Sequence, residues 1–303
     1  MISVPSTTSG ASPAAVTAPG LNARNDPCVP PGTRCLILIP AFNEGASVRT
    51  LVLRLKRALP QFDVLVIDDG STDDTVRQVP PGTAVVTLPF NLGIGGAMQT
   101  GYRYAALHGY DIAVQVDGDG QHRPREVARL VRELTTTGAD LVVGSRFLDD
   151  GRRYRQTVAR SLGAWFLRGV VRTLTGLPIT DCTSGFRAAN RRTLRAFAHW
   201  YPEDYPEPEV ILLLHRAGYR VGELAVQMRQ RRAGRSSIDV FEGLFYVAKV
   251  TVCLMLDLMR HPWPRRVLDH PAPEATPCKP APAARPAEAE QPVSVASAQP
   301  VKA

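Results

Sequence analysis

Residues 112–124 read Ile112-Ala-Val-Gln-Val-Asp-Gly-Asp-Gly-Gln-His-Arg-Pro124. A short, largely apolar run leads into Asp117-Gly118-Asp119, and a proline then opens a new segment. Such a run is the mark of a strand buried on both faces. Two carboxylates one residue apart at a strand end can share a divalent cation, with Gly118 letting the backbone bend so that both face it. The same residues also make an ordinary Asp-Gly turn, so their company along the chain decides between the two readings.

That company is consistent on both sides. Apolar runs at 35–39, 63–67, 84–88 and 141–143 each end in polar or glycine-rich residues. Between them lie stretches of helical spacing at 46–59 (Val48, Leu51, Val52, Leu55, Leu59), 95–108 and 124–135. The alternation predicts an α/β fold, a mostly parallel sheet with helices on both faces. Ligands of such sheets bind outside the carboxyl ends of the strands. Asn43-Glu44, Asp68-Asp69, Asp117 and Asp119, and Arg146 all fall there, which predicts one shared site. Further along, 156–176 reads as an Arg-rich helix, 180–188 as a polar segment, 190–199 and 209–217 as helices, and 220–228 as a strand. An apolar stretch follows at 238–259, interrupted by Asp239, Glu242, Lys249 and Asp257.

The 303 residues are 44% hydrophobic and 21% charged, an ordinary globular composition, with a formal net charge of +8. The basic excess concentrates in 152–195 and 229–235 and suits phosphate-bearing partners. Cys28, Cys35, Cys182, Cys253 and Cys278 form no CxxC or Cys/His metal spacing, which suggests reduced thiols in a cytosolic setting. Residues 1–33 and 263–303 are expected to be disordered tails, the second rich in Pro and Ala. No run of 18 uncharged apolar residues is present, so a transmembrane helix is not expected.

Seven segments, in order, resemble the inverting family 2 glycosyltransferases of the GT-A fold, and among them the dolichol/polyprenyl-phosphate sugar synthases. They are Ile39-Pro-Ala-Phe-Asn-Glu44, Val66-Ile-Asp-Asp-Gly-Ser71, Asn91-Leu-Gly-Ile-Gly-Gly96, Asp117-Gly-Asp119, Gly144-Ser-Arg146, Ser184-Gly-Phe-Arg187 and Arg231-Arg-Ala-Gly-Arg-Ser236. The resemblance implies a Rossmann-like GT-A domain over 34–237. It implies that Pro40, Phe42, Glu44, Ile67 and Asp69 line the nucleotide sugar, and that Asp117, Gly118 and Asp119 meet its diphosphate. Asp117, Asp119 and Gln121 would hold Mg²⁺ or Mn²⁺. Arg146 and Arg231 would bind phosphate, and Asp119 and Glu209 are the catalytic candidates. His122, beside Arg123-Pro124, reads as a helix-start residue. Where the synthases usually carry Lys after the Arg231 segment, this chain has Ser237, which removes one cation from the acceptor side.

The acceptor sets the chemistry. A polyprenyl phosphate is already ionised and can attack the anomeric carbon directly. A hydroxyl acceptor, as in polysaccharide or glycolipid assembly, needs a carboxylate to take its proton, and Glu209 or Asp181 stands in place for that. The expected partners are a nucleotide-sugar donor, a polyprenyl phosphate or other lipid-linked acceptor, the membrane surface and a membrane protein, with no nucleic acid. The segment 238–262 is expected to be an amphipathic membrane-interface or partner helix, with Phe241, Leu244, Phe245, Leu254 and Leu258 as apolar contacts. The expected location is the cytoplasmic face of the membrane, held peripherally. A nucleotidyltransferase would show a GxGxR-like signature after the first strand, where this chain has Pro40-Ala-Phe-Asn-Glu44. A binding module that has lost turnover is the non-enzymatic rival.

Overall fold

The computed structural model describes residues 29–30, 32–148, 158–228 and 240–259. In chain order its elements are β1 (Cys35–Ala41), α1 (Val48–Ala58), β2 (Asp63–Asp68), α2 (Thr75–Gln78), β3 (Ala84–Thr87), α3 (Gly93–Leu107), β4 (Ile112–Gln115) and α4 (Pro124–Thr137). They continue with β5 (Leu141–Ser145), α5 (Val158–Thr175), β6 (Arg187–Asn190), α6 (Arg191–His199), α7 (Pro206–Arg216), β7 (Val221–Ala225) and α8 (Val240–Met259).

The strands form one sheet in the order β3-β2-β1-β4-β6-β5-β7. All pairings are parallel except those of β6, which runs antiparallel between β4 and β5. Successive residues of the central strands point to opposite faces. Ile37, Ile39, Val66 and Val114 therefore join α1 and α4 in one core, while Leu36, Leu38, Leu65 and Ile67 join α3 and α6 in the other. This double-sided burial explains the uninterrupted apolar run of β1, each side chain contributing roughly 1.5–3 kcal/mol on leaving water. A third cluster, including Leu167, Val171, Ile211, Leu212, Val250 and Leu254, joins α5, α7 and α8.

Two expectations change. The sequence reads 180–188 as a polar segment and 190–199 as a helix, and between them Arg187–Asn190 forms β6. Its central Ala188 and Ala189 carry little apolar signal, and the strand exists because β4 and β5 supply pairing edges on both sides. In α8, Leu254 and Leu258 are not outward contacts: Leu254 is fully buried, and Leu258 packs against the same cluster. The side chains of Phe241, Leu244 and Phe245 lie outside the described set. Among the described residues no helix is long and apolar enough to cross a membrane.

Candidate active site

The order of strands reverses between β1 and β4, which are neighbours in space though β2 and β3 lie between them in sequence. The loops at the carboxyl ends of β1, β2 and β4 meet there. Asn43 is the only non-glycine residue in the left-handed region among the described residues (φ 56°), and its side-chain oxygen accepts from Thr72 N and Asp73 N. Asn43 N donates to Ser71 Oγ, and Glu44 N donates to Thr75 Oγ1. The first loop is thereby clamped to the loop after β2. Ser47 Oγ bridges onward, 2.6 Å from Glu44 Oε2 and 2.8 Å from the Gly118 carbonyl that it donates to.

Gly118 has a different use from the one its sequence context suggests. The left-handed turn falls at Gly120 (φ 73°). A methyl group at Gly118 would sit 3.1 Å from the Pro40 carbonyl and 3.3 Å from Glu44 Cγ. Close approach of the first loop, rather than a bend, requires glycine. The glycine run 93–96 is likewise explained by the chain itself: a methyl at Gly95 would collide with the backbone carbonyls of Pro202 and Glu203.

Asp117 is gripped from two sides. His122 Nε2 lies 3.1 Å from Asp117 Oδ2, and the imidazole stacks on Phe186 with centroids 4.3 Å apart. His122 is 2% exposed, and its Nδ1 has no hydrogen-bond partner among the described residues. Gly185 presses on the other side, where a methyl would lie 3.0 Å from both Asp117 Oδ1 and Gln115 Nε2. Desolvation pushes the Asp117 carboxyl up, but the hydrogen bond and charge of His122, the Arg146 charge and the Gln115 bond outweigh it. The carboxyl is held below the usual carboxylate range and is ionised near neutral pH. Its side chain nevertheless keeps 42% of its surface exposed. Asp119 Oδ1 accepts from Gln121 N at 3.0 Å, which closes the turn.

The segment from 180 to 187 walls this site. Glu223 on β7 accepts from the backbone N–H groups of Thr180 and Asp181. Asp181 receives a two-pronged contact from Arg146, Nε to Oδ2 at 2.7 Å and the terminal nitrogen to Oδ1 at 2.8 Å. Arg146 is thus oriented by a buried carboxylate. Within Ser184-Gly-Phe-Arg187 every residue makes a specific contact. Ser184 Oγ donates to the Gly144 carbonyl, Gly185 makes room for Asp117, and Phe186 supports His122. Arg187, fully buried, donates to the carbonyls of Ser184 and Glu207.

The remaining candidates separate clearly. Phe42 is exposed at the cleft, and Pro40 and Glu44 border Gly118. Asp69 is buried and accepts from Leu92 N at 2.8 Å; desolvation raises its pKa against the hydrogen bonds from Leu92 and Gly93. The Ile67 side chain, expected to line the nucleotide, is fully buried among core residues, and its strand is paired on both sides. Glu209 is buried in the first turn of α7. Glu207, two residues earlier and absent from the expected set, is coupled to these charges: burial raises its pKa, Arg187 opposes this, Asp117 pushes it up and Arg146 pulls it down. His122, read from the sequence as a helix-start residue, is the partner of Asp117 in the structure. Arg231 and Ser237 lie outside the described residues.

An ionised, partly open carboxylate beside a second carboxylate on the same turn is a hard-oxygen donor set that fits Mg²⁺ or Mn²⁺. Among the described residues no group of three His, Cys, Asp or Glu side chains surrounds one point.

Residues 36–197 match the profile of glycosyl transferase family 2. An undecaprenyl-phosphate mannosyltransferase of Micrococcus luteus is 34% identical over 215 residues, covering 68% of this chain and 88% of that protein. A polyprenol monophosphomannose synthase of Mycolicibacterium smegmatis is 31% identical over 252 residues, covering 78% of this chain and 95% of the relative. Among solved structures, glucosyl-3-phosphoglycerate synthase from Mycobacterium tuberculosis, in complex with Mn²⁺, UDP and glucosyl-3-phosphoglycerate, shares the fold. Its TM-score is 0.56 at 23% identity, over 75% of this chain and 80% of that one.

Proposed function

This chain belongs to glycosyl transferase family 2, with the GT-A arrangement of its sheet, and from that membership we propose that it moves a hexose from a nucleotide sugar to a polyprenyl phosphate. The transferase unit is 34–237, and transfer takes place at the cytoplasmic face of the membrane. Mannose is the sugar named for both bacterial relatives and is the first candidate here.

The observation that carries the reading is Asp117, held ionised and partly exposed at the point where the strand order reverses. Asp117 and Asp119, with Gln121, would hold Mg²⁺ or Mn²⁺, which when bound supplies a Lewis acid to the departing nucleoside diphosphate. Pro40, Phe42, Glu44 and Asp69 border the nucleoside end. Arg146, aimed by Asp181, adds positive charge on the diphosphate side, and Arg231 is assigned the acceptor phosphate. An oxygen of the lipid phosphate forms the new bond to the anomeric carbon from the face opposite the leaving diphosphate, so the configuration inverts.

The phosphate acceptor is favoured over a hydroxyl by the state of the carboxylates. Of the two bases considered for a hydroxyl, Asp181 is engaged by both prongs of Arg146, and Glu209 is buried in α7. A phosphate acceptor needs neither.

The test is a product analysis. Purified protein with Mn²⁺ or Mg²⁺ and a short-chain polyprenyl phosphate is offered GDP-, UDP- and dTDP-hexoses. The expected product is an acid-labile glycolipid that retains phosphate, formed in equal amount with nucleoside diphosphate. A stable glycosidic product with a hydroxyl acceptor, or no transfer from any donor, overturns the reading.

A further inference from the structure

The inward stripes of α5 and α8 are fully used. Leu167 and Val171 from α5, with Val250 and Leu254 from α8, close over Ile211 and Leu212 of α7. The two helices lie side by side, and a methyl at Gly163 would sit 3.0 Å from Val247 Cγ2. Their outward stripes should then be polar, as on an ordinary surface helix. They are not. On α5 Trp165 is 65% exposed, with Phe166 exposed beside it. On α8 Val252, Met255, Leu256 and Met259 follow one another at helical spacing over two turns, Met259 being 85% exposed.

On α5 the charge is one-sided, whereas the sequence of α8 holds Glu242 and Asp257 beside Lys249. The sequence of α5 holds Arg160, Arg168 and Arg172 and no carboxylate, and Arg172 lies exposed two turns beyond Trp165. Lys249 is exposed on α8 over the ring of Tyr205. Aromatic and aliphatic side chains flanked by cations form the pattern of helices that lie in a bilayer interface and prefer anionic lipid. Position points the same way. α5 leads directly into the segment whose Asp181 aims Arg146 and whose Gly185 abuts Asp117.

We propose that α5 and α8 together form one seat on an anionic bilayer, with Trp165 and Phe166 of α5 inserting beside the outward stripe of α8. The seat rests on the polyprenyl-phosphate reading for its purpose, since it brings the cleft to the surface where such a lipid resides. It assigns membrane contact to α5 as well as to α8, through residues that a reading of the isolated C-terminal helix leaves out.

The experiment uses the full chain and vesicles of phosphatidylcholine alone or mixed with phosphatidylglycerol. The protein is expected to co-sediment with the mixed vesicles, and Trp165 emission to be quenched by brominated acyl chains. Trp165→Phe should remove that quenching while the signal from the other tryptophans remains. The double variants Trp165→Ser/Phe166→Ser and Met255→Ser/Leu256→Ser should each reduce partitioning by about tenfold or more. Both should retain their melting temperature and their transfer to a short-chain, detergent-dispersed acceptor. That last readout separates the proposals: the seat can fail while transfer persists, and transfer can fail while vesicle binding persists. Wild-type protein that stays in the supernatant with both vesicle types overturns the seat. So does a wild-type dimer that the same variants turn into monomers without any change in vesicle binding, which would assign the face to a second copy. Should a double variant fail to fold, the quenching of wild-type Trp165 decides alone.

Discussion

Asp117 and Asp119 have different environments although one residue separates them. Asp117 is oriented by a buried imidazole and faced by Arg146, whereas Asp119 holds its own turn through Gln121 N. Asp119→Ala should lower transfer at least about a hundredfold, the scale of losing one aligned charged group at a reacting centre, as read by nucleoside diphosphate release. His122→Ala leaves Asp117 without its anchor and Phe186 without its stacking partner. Affinity for Mn²⁺ with nucleoside diphosphate should weaken roughly tenfold by titration calorimetry, the usual cost of removing a group that orients a ligand. Asp69 gives a stability prediction with a definite sign. Burial raises its folded pKa above the unfolded value, so the ionised form costs stability, and that cost appears as pH rises through the raised value. Asp69→Asn keeps an acceptor for Leu92 N and removes the buried charge. Its melting temperature should exceed that of the parent at neutral pH, and the gap should close below the ordinary carboxylate range. A constant gap at all pH values would show that the charge is not the cause.

At the scale of elements, β6 and the glycine contacts decide how the site is walled. Arg187 begins β6, yet its side chain crosses to the start of α7, where it satisfies the Glu207 carbonyl. Arg187→Met would strand these buried carbonyls and should cost about 3 kcal/mol in denaturant unfolding. Gly95→Ala drives a methyl into the backbone of Pro202 and Glu203. A loss of about 2 kcal/mol, or a melting temperature lower by roughly 5 °C, is expected from overpacking against a part that cannot rotate away. The apolar runs and the helical stripe of α1 were legible along the chain, and the elements found there match within a residue or two. The strand β6 was not, because a four-residue segment built on two alanines has no periodicity of its own. Nor was the split of α8 into an inward and an outward apolar stripe. A helix apolar on all sides does not say which side is covered until α5 and α7 are in place.

On the scale of the whole molecule, the cleft and the α5–α8 face are joined by the segment 180–187. A ligand that binds the folded state stabilises it by mass action, about 2.7 kcal/mol at a hundred times its Kd. Mn²⁺ with the correct nucleoside diphosphate should therefore raise the melting temperature of the parent, and Asp119→Ala should abolish the shift. Anionic vesicles should leave that shift unchanged, since they meet a different face. By itself the sequence determined the α/β class, the acids at the strand ends, the ordered motifs of the family and the carboxylate pair between β4 and α4. These are properties of spacing and local chemistry, and strand geometry carries them to one edge of the sheet whatever the details of packing. Only the tertiary structure decided that Gly118 and Gly185 are spaces for other segments, that Asp181 aims Arg146, and that His122 and Glu207 belong with Asp117. The physical reason is contact range. Steric room, desolvation and charge pairing act over a few ångströms, and the groups that supply them to Asp117 come from α7 and the turns before α4, α5 and β6. No local reading of the chain contains those distances.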